Sequence, residues 1–274
     1  MRFATLNLWG TRPPLDRRLE VAAAGLAEAD VVLLQEVRVT ADIPNTAERL
    51  AALLGGWHVA YAAGTRGEAG TFGPGSTAGE EGVAIIARDP ILESRSVELP
   101  EAKPDERRVL LSARIGPVWA HTTHLHWRLL DGVARERQVL AIDMAIAAIR
   151  DQDADPVHVL GGDFNAAPDC DEIRFLRGRH TLDGRHTYWQ DAWRVVHGEQ
   201  PGWTWTRKNP MTEWLKFLEL DRRIDYLFTR QERRDGRGAI REARVILDTP
   251  SEDGVWASDH FGVVAEIVTT ASSG

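Results

Sequence analysis

Short apolar runs bounded by polar or glycine-rich breaks recur along the whole chain, and their spacing separates two kinds of element. The continuous runs Val31-Val32-Leu33-Leu34 and Val157-His158-Val159-Leu160 predict strands covered on both faces, whereas Trp57, Val59 and Tyr61 alternate as in a half-buried strand. Further strands are expected over residues 3–8, 82–87, 97–99, 107–115, 118–125, 223–229, 243–247 and 261–267. Leu19, Ala22, Ala23 and Leu26 stand at helical spacing within residues 16–28, as do Val139, Ile142, Ile146 and Ile149 within 132–150. Asn45 and Glu48 read as a capping box opening a helix that runs through Leu54, and residues 171–176 read as a short helix. Residues 64–79, rich in Gly, Thr, Ser and Ala, show no periodicity and predict a long loop, either a flap beside a site or plain disorder. The stretch from there to Leu220 that follows the short helix is irregular and carries Trp203-Thr204-Trp205.

These elements follow one another without a short-period repeat, a Pro- or Ser-rich linker or a break in composition, so one domain over residues 1–270 is expected. A chain of 274 residues, 43% apolar and 27% charged, suits a soluble globular protein with a substantial core. The net charge of −8 weighs against a duplex nucleic-acid partner, whose phosphates favour a basic face, without excluding a local basic cleft. No apolar segment approaches membrane-spanning length, and the residues after Met1 lack the apolar core and cleavage site of a secretory signal. The single cysteine, Cys170, fits a reducing compartment and, without a clear base partner, reads as a bystander. A cytoplasmic monomer with no membrane anchor is expected. Most of the ten tryptophans should pack in the core, with some lining a pocket.

The candidate chemistry lies where the runs end. Two glycines after Val157–Leu160 predict a strand that stops at a loop carrying Asp163, Phe164 and Asn165. If the backbone stays extended, Asp163 and Asn165 point the same way, a carboxylate able to hold a proton or cation beside an amide that donates and accepts. The alternative is an Asx-rich turn closed by Pro168. Asn7, Glu36, His124 and the pair Asp259-His260 also sit where an apolar run ends or begins. Each alone has a structural explanation as a cap, a surface residue or turn chemistry. In a layered α/β protein, polar residues at strand ends can instead converge on one edge.

Read in order, Leu6-Asn7, Leu34-Gln35-Glu36, Gly82-Val83-Ala84-Ile85, Thr123-His124-Leu125, Gly162-Asp163-Phe164-Asn165, Arg223-Ile224-Asp225-Tyr226 and Ser258-Asp259-His260 resemble the endonuclease/exonuclease/phosphatase superfamily. These are metal-dependent phosphoesterases similar to pancreatic-type deoxyribonuclease, abasic-site endonucleases, neutral sphingomyelinases and inositol polyphosphate 5-phosphatases. The resemblance implies an α/β fold, a four-layer α/β/β/α sandwich with two packed, mostly antiparallel sheets, and a hydrolytic site at one sheet edge. It implies Mg²⁺ (or Mn²⁺ or Ca²⁺) held chiefly by Glu36, with Asn7 and Asp259 nearby, a set of hard oxygen donors. Asp163 would orient or deprotonate the attacking water, and Asn165 would hold a phosphate oxygen or the nucleophile. His260, aligned by Asp225, would touch the phosphoryl group, and His124 would donate to it from the other side, aligned by Glu81 or the adjacent Glu80. Whether Asp163 or His260 is the base stays open.

The expected substrate is a phosphodiester, with a small organic or lipid-like ester favoured and DNA or RNA as the alternative. Trp9, Trp127, Trp205 and Trp256 lie near the motifs and suggest a pocket for an organic group. The run Leu220-Asp221-Arg222-Arg223-Ile224-Asp225 resembles its 5-phosphatase counterpart only loosely. Two rival readings are a catalytically inactive binding scaffold, for which no key residue is missing, and a zinc site of His121, His124 and His126. In a strand only His124 and His126 share a face, so the zinc site requires the strand to bend.

Overall fold

Each central strand is buried on both sides because its alternate side chains feed two different cores. Phe3 and Leu33 face one and Ala4 and Leu34 the other, all fully buried. A computed structural model describes residues 1–271 except 74, 104–105 and 216–220, so Leu220 and the end of the irregular stretch lie outside the described residues. One sheet centres on β1 (Arg2–Asn7) and β2 (Val31–Thr40), parallel neighbours joined by helix α1 (Leu15–Leu26). Outward on one side it adds β12 (Gly262–Ile267) and β11 (Ile240–Ile246), on the other β4 (Gly79–Ala87) and β3 (His58–Gly67). The second sheet repeats the plan: β7 (Val118–His124) and β8 (Val157–Asp163) are parallel and joined through helix α3 (Gly132–Gln152). They are flanked by β6 (Val109–Ile115) and β5 (Ile91–Glu98), and by β10 (Asp225–Thr229) and β9 (Gln190–Asp191). All other neighbouring strands are antiparallel.

The sheets pack through Phe3, Val31, Leu33, Ile115, Val118, Val159, Leu227 and Val263. Helices α1 and α2 (Thr46–Leu53) cover the outer face of the first sheet. Helices α3 and α4 (Asp171–Leu176) cover the second over Leu160, Phe164 and Phe228. The expected α/β/β/α sandwich is therefore the fold. A parallel pair needs a crossover long enough to return the chain to the same end, which α1 and α3 supply. Both pairs consequently point their carboxyl ends at one common edge.

Several boundaries depart from expectation. Gly161 and Gly162 lie inside β8 instead of ending it. A Cβ on Gly161 would come within 2.7 Å of Leu227 and Leu33 from the two sheets, and one on Gly162 within 2.1 Å of the Thr123 carbonyl oxygen. Close strand approach, not strand termination, requires them. Similarly β3 runs on to Gly67 and β4 begins at Gly79, so the expected loop contracts to residues 68–78. A Cβ on Gly64 would sit 2.9 Å from the Arg107 carbonyl oxygen. Strand β5 begins well before Val97; it is an almost fully exposed edge, so no apolar alternation marks it. Helix α5 (Ala192–His197), capped by the Asp191 side chain, lies in the stretch read as irregular. Asn45 caps α2 as expected, accepting from the Ala47 and Glu48 amides.

A candidate active site where the two sheets meet

The site begins with strand register. Asn7 stands opposite Gln35 on the first sheet, while His124, Asp163 and Asp225 align across three adjacent strands of the second. Directly beneath, buried Gln35 ties the sheets together: its amide donates to the Thr122 hydroxyl (3.0 Å) and to Thr5 (3.2 Å). Between Leu34 and Val37 the β2–β4 ladder slips, and Glu36 takes a left-handed backbone (φ 51°). This bulge redirects its carboxylate to Asn7, whose Nδ2 donates to Glu36 (3.0 Å) and to Asp163 (3.1 Å). Trp9 and Asn165 also have positive φ (55° and 50°), so three non-glycine residues at this edge hold a conformation costing on the order of 1 kcal/mol or more each. Asn165 therefore does not continue the strand. Its amide N–H donates to Asp163 Oδ1 (2.8 Å), an Asx turn, while its side chain donates to the Leu125 carbonyl (3.1 Å). The turn is thus the device that positions Asp163.

Ser258 clasps the opposite side. Its hydroxyl donates to the Asn7 carbonyl (2.6 Å) and accepts from the His260 N–H (3.2 Å), which fixes Asp259 and His260 against β1. His260 Nδ1 lies 3.0 Å from Asp225, and its Nε2 lies 3.8 Å from Asp163. Although burial opposes charge on the ring, Asp225, Asp163 and Asp259 hold His260 well above its ordinary value. Burial, the neighbouring Asp225 charge and partial relief from His260 leave Asp163 at about 7. His124 Nε2 is 3.5 Å from the same Asp163 oxygen; burial, then Arg108 and His260, keep this ring well below its usual value and neutral.

The other acidic set is Glu36 and Asp259 around the Asn7 amide. Burial first and Glu36 next push Asp259 up to about 6. Nearby Arg18 is committed below, its guanidinium donating to the carbonyls of Leu8, Ala257, Arg12 and Gly10 at 2.8–3.1 Å. Two carboxylates of like charge match the donors of a hard divalent cation, while Asn7 turns its Nδ2 to Glu36 and its Oδ1 accepts from the Trp9 N–H (2.9 Å). Asp163, Asp225 and His260 also bring their ligand atoms within 4.8 Å of one another, but there the imidazolium itself supplies the positive charge between the carboxylates.

Glu80 and Glu81 point opposite ways from β4. Glu80 pairs with Arg66 at 2.6 Å, while Glu81 shares with His124, Arg108 and Gly64 a cavity of about 10 Å³, room for roughly one water. Burial, then Glu36, raises Glu81 to about 8. The three histidines of the zinc reading separate. His121 sits behind the sheet between Ser112 and His158, and His126 is held by Glu106 and Asp131, leaving His124 at the site. Trp205 is buried with its ring 6.4 Å from His260, and Trp256 stacks on Phe261 beside that histidine. The Arg18 guanidinium lies 5.2 Å from the Trp9 ring, and Trp127 stands exposed on the loop after β7. Sequence reasoning quoted Gln35 and Thr204 within their segments without giving either a role, and it missed Arg18; the Thr204 hydroxyl accepts from the Ile224 and Asp225 amides. Gln35 extends an apolar strand as a polar residue, a signal of a buried tie, whereas Thr204 carries no local signal of its role.

Paired sheets that present carboxylates, histidines and an asparagine at one edge define a hydrolase of the phosphoesterase or nuclease type. The model described as "Endonuclease/Exonuclease/phosphatase family" matches residues 4–260, and the chain belongs to that family. No curated protein matches it in sequence. Among solved structures, an endonuclease/exonuclease/phosphatase from Beutenbergia cavernae is 23% identical, with TM-score 0.71 over 98% of this chain and 71% of its own. The human Nocturnin catalytic domain with bound sulfate is 16% identical (TM-score 0.71, 98% and 93% covered). D. rerio TDP2 complexed with a single-strand DNA product is 18% identical (TM-score 0.70, 97% and 97%). At these identities the likeness is one of fold.

Proposed function

We propose that this chain is a divalent-metal-dependent phosphodiesterase that hydrolyses small organic or lipid-like diesters by in-line attack of water, working as a cytoplasmic monomer. The reading rests above all on Asp163, which meets Asn7 at 3.1 Å and faces two histidines of opposite charge state. Held by Glu36, Asn7 and Asp259, Mg²⁺ (or Mn²⁺ or Ca²⁺) would neutralise charge on a phosphoryl oxygen. Asp163, at about 7, is poised to take the proton of the attacking water. His260 already carries its proton, so it serves as a hydrogen-bond donor to the phosphoryl group and not as the base. Asp225 fixes its ring, and neutral His124 donates from the other side. Glu81 orients His124 through their shared cavity, and Asn165 steadies the Asp163 turn while offering its amide to the nucleophile. As water's oxygen bonds to phosphorus, the ester oxygen opposite departs with the bonding pair. Trp9 and Trp256, close in the chain to Asn7 and Asp259, would meet the organic part of the substrate, while Trp205 is buried with its ring beside His260.

A nuclease is the second reading, favoured by the single-strand DNA product with which D. rerio TDP2 was solved. The experiment compares bis(4-nitrophenyl) phosphate, 4-nitrophenyl phosphate and supercoiled plasmid, with Mg²⁺, Mn²⁺ or EDTA, for wild type and Asp163→Ala. Chelator-sensitive cleavage led by the diester, and lowered roughly 10²–10⁴-fold by the substitution, is expected. Preference for plasmid would favour the nuclease. Activity surviving both EDTA and Asp163→Ala overturns the metal and Asp163 assignments, and no turnover with cation binding intact would leave a binding scaffold.

A further inference from the structure

Immediately after His124 the chain forms a loop that leads into α3, and this loop inverts the usual order of polar and apolar groups. Its apolar side chains face solvent: Trp127 is 52% exposed, Leu129 37%, Leu130 99% and, in the first turn of α3, Val133 56%. Its charged and polar partners are inside. The buried Arg135 guanidinium donates to the carbonyls of Arg128 (2.6 Å), Leu129 (3.3 Å) and His126 (3.4 Å) and pairs with buried Glu172. His126 is fully buried, its ring between Glu106 (2.9 Å) and Asp131 (3.3 Å), its amide donating to Gln138 (3.0 Å). Burying charge is costly unless it is fully partnered, so this truss of ion pairs and carbonyl bonds holds the loop in one shape. What it holds rigidly outward is an apolar apex.

Single exposed apolar residues are ordinary, but four within seven positions form a patch of the kind that marks an interaction surface. Two cations flank it: Lys103 Nζ lies 6.0 Å and the Arg128 guanidinium 5.8 Å from the centre of the Trp127 ring. Arg137, exposed, follows Val133 by one helical turn; among the described residues the nearby acids include Asp131, 3.3 Å from His126, half-buried Glu136, and buried Glu106, which pairs with Lys103 at 3.3 Å. An indole with cations beside it and a leucine beyond it is the arrangement that sits at the boundary between lipid headgroups and acyl chains. The apex is also convex, since Leu130 is almost wholly exposed, which suits insertion better than the matched surfaces of a two-fold protein interface. A loop already rigid loses little conformational freedom on binding.

We propose that residues 127–133 are a lipid-contact surface. Leu130, with Trp127, Leu129 and Val133, enters the interface of a phospholipid assembly; Arg128 and Lys103 meet headgroup phosphates. Because the loop grows directly from the strand that ends in His124, contact turns the active-site edge toward the lipid. The surface stands on its own evidence; only its use in delivering a lipid phosphodiester rests on the proposed activity.

The test is co-sedimentation of the full chain with sucrose-loaded vesicles of phosphatidylcholine and phosphatidylglycerol (3:1). Wild type should sediment with the vesicles, and Leu130→Ser and Trp127→Ala should each lower partitioning at least about tenfold. Leu92→Ser is the control, at a residue 67% exposed on β5 and at the opposite end of the sheet, and it should leave binding unchanged. Turnover of soluble bis(4-nitrophenyl) phosphate should be unaffected in Leu130→Ser and Leu92→Ser, which also reports that they fold. Wild type remaining in the supernatant, or Leu130→Ser binding as wild type does, overturns the proposal. So does a wild-type dimer by light scattering that Leu130→Ser dissociates, since the apex would then join two copies of the chain. Vesicle binding that depends on Leu130 without any diester hydrolysis would uphold the surface and remove the phosphodiesterase reading.

Discussion

Replacing Glu36 by Gln should leave the metal-free protein close to wild type in stability and remove most of its stabilisation by metal. The amide keeps the shape of the side chain and an oxygen for the Asn7 hydrogen bond (3.0 Å) but removes one negative charge. Asp259 stands at about 6 against an ordinary 3.8, so at pH 8 its charged form is disfavoured by about 3 kcal/mol, at 1.36 kcal/mol per pH unit. Burial is the larger cause and Glu36 the next, and Glu36 also raises Glu81. The same charge also favours the Arg18 and Arg38 guanidiniums, so without metal the opposed effects should leave the variant within about 1 kcal/mol of wild type, or about 2–4 °C in Tm for a chain of this size. A cation at a hundred times its Kd stabilises the folded state by about 2.7 kcal/mol. Wild type should therefore rise by roughly 5–10 °C in Mg²⁺, whereas Glu36→Gln should rise by little. Thermal melts at pH 8 in EDTA and in MgCl₂, with ionic strength matched by KCl, would show the two proteins lying close together without metal and separating with it. Equal Mg²⁺ shifts would refute Glu36 as a ligand.

Two further outcomes follow from groups beside and behind the site. Burial, then Arg150, Arg230, Arg233 and Arg114, push His158 down to about 3. Between pH 6.5 and 3 the unfolded chain binds the proton that the folded one refuses, so this contribution to stability is complete above pH 6.5 and is lost as pH falls. Asp163 and Asp259, raised by burial, slope the opposite way, so the measurement is the difference from His158→Gln. In urea melts wild type should lose about 2 kcal/mol more than the variant between pH 7.5 and 5, and parallel curves would refute the assignment. Asp225→Asn removes the carboxylate charge that counters burial at His260 (Nδ1 at 3.0 Å). Diester turnover should fall roughly 10²–10⁴-fold while the Mg²⁺ melting shift stays as in wild type, and an unchanged kcat would take the Asp225–His260 pair out of the mechanism.

The chain's own order already contained the layers and the residue types of the site. Val31 to Leu34 had to be covered on both faces because four successive apolar side chains leave a strand in both directions, and they are fully buried. Helices α1 and α3 follow the apolar spacing that outlines them, and Asn7, Glu36, His124, Asp163 and Asp259-His260 lie at or beside run ends because strand termini are where local patterning changes. Exposed β5, by contrast, leaves no apolar signature, and Gly64, Gly161 and Gly162 read as loop residues although neighbouring backbone demands them inside strands. Tertiary structure alone separated Glu81 from Glu80 and sent His121, His124 and His126 to three different surroundings. It alone joined Gln35 to Thr122 and Asn7 to Asp163, partners 87 and 156 residues apart. Hydrophobic periodicity is a local property that any short window of sequence records, whereas charge state, tautomer and ligand geometry depend on groups that meet only when two sheets close on each other.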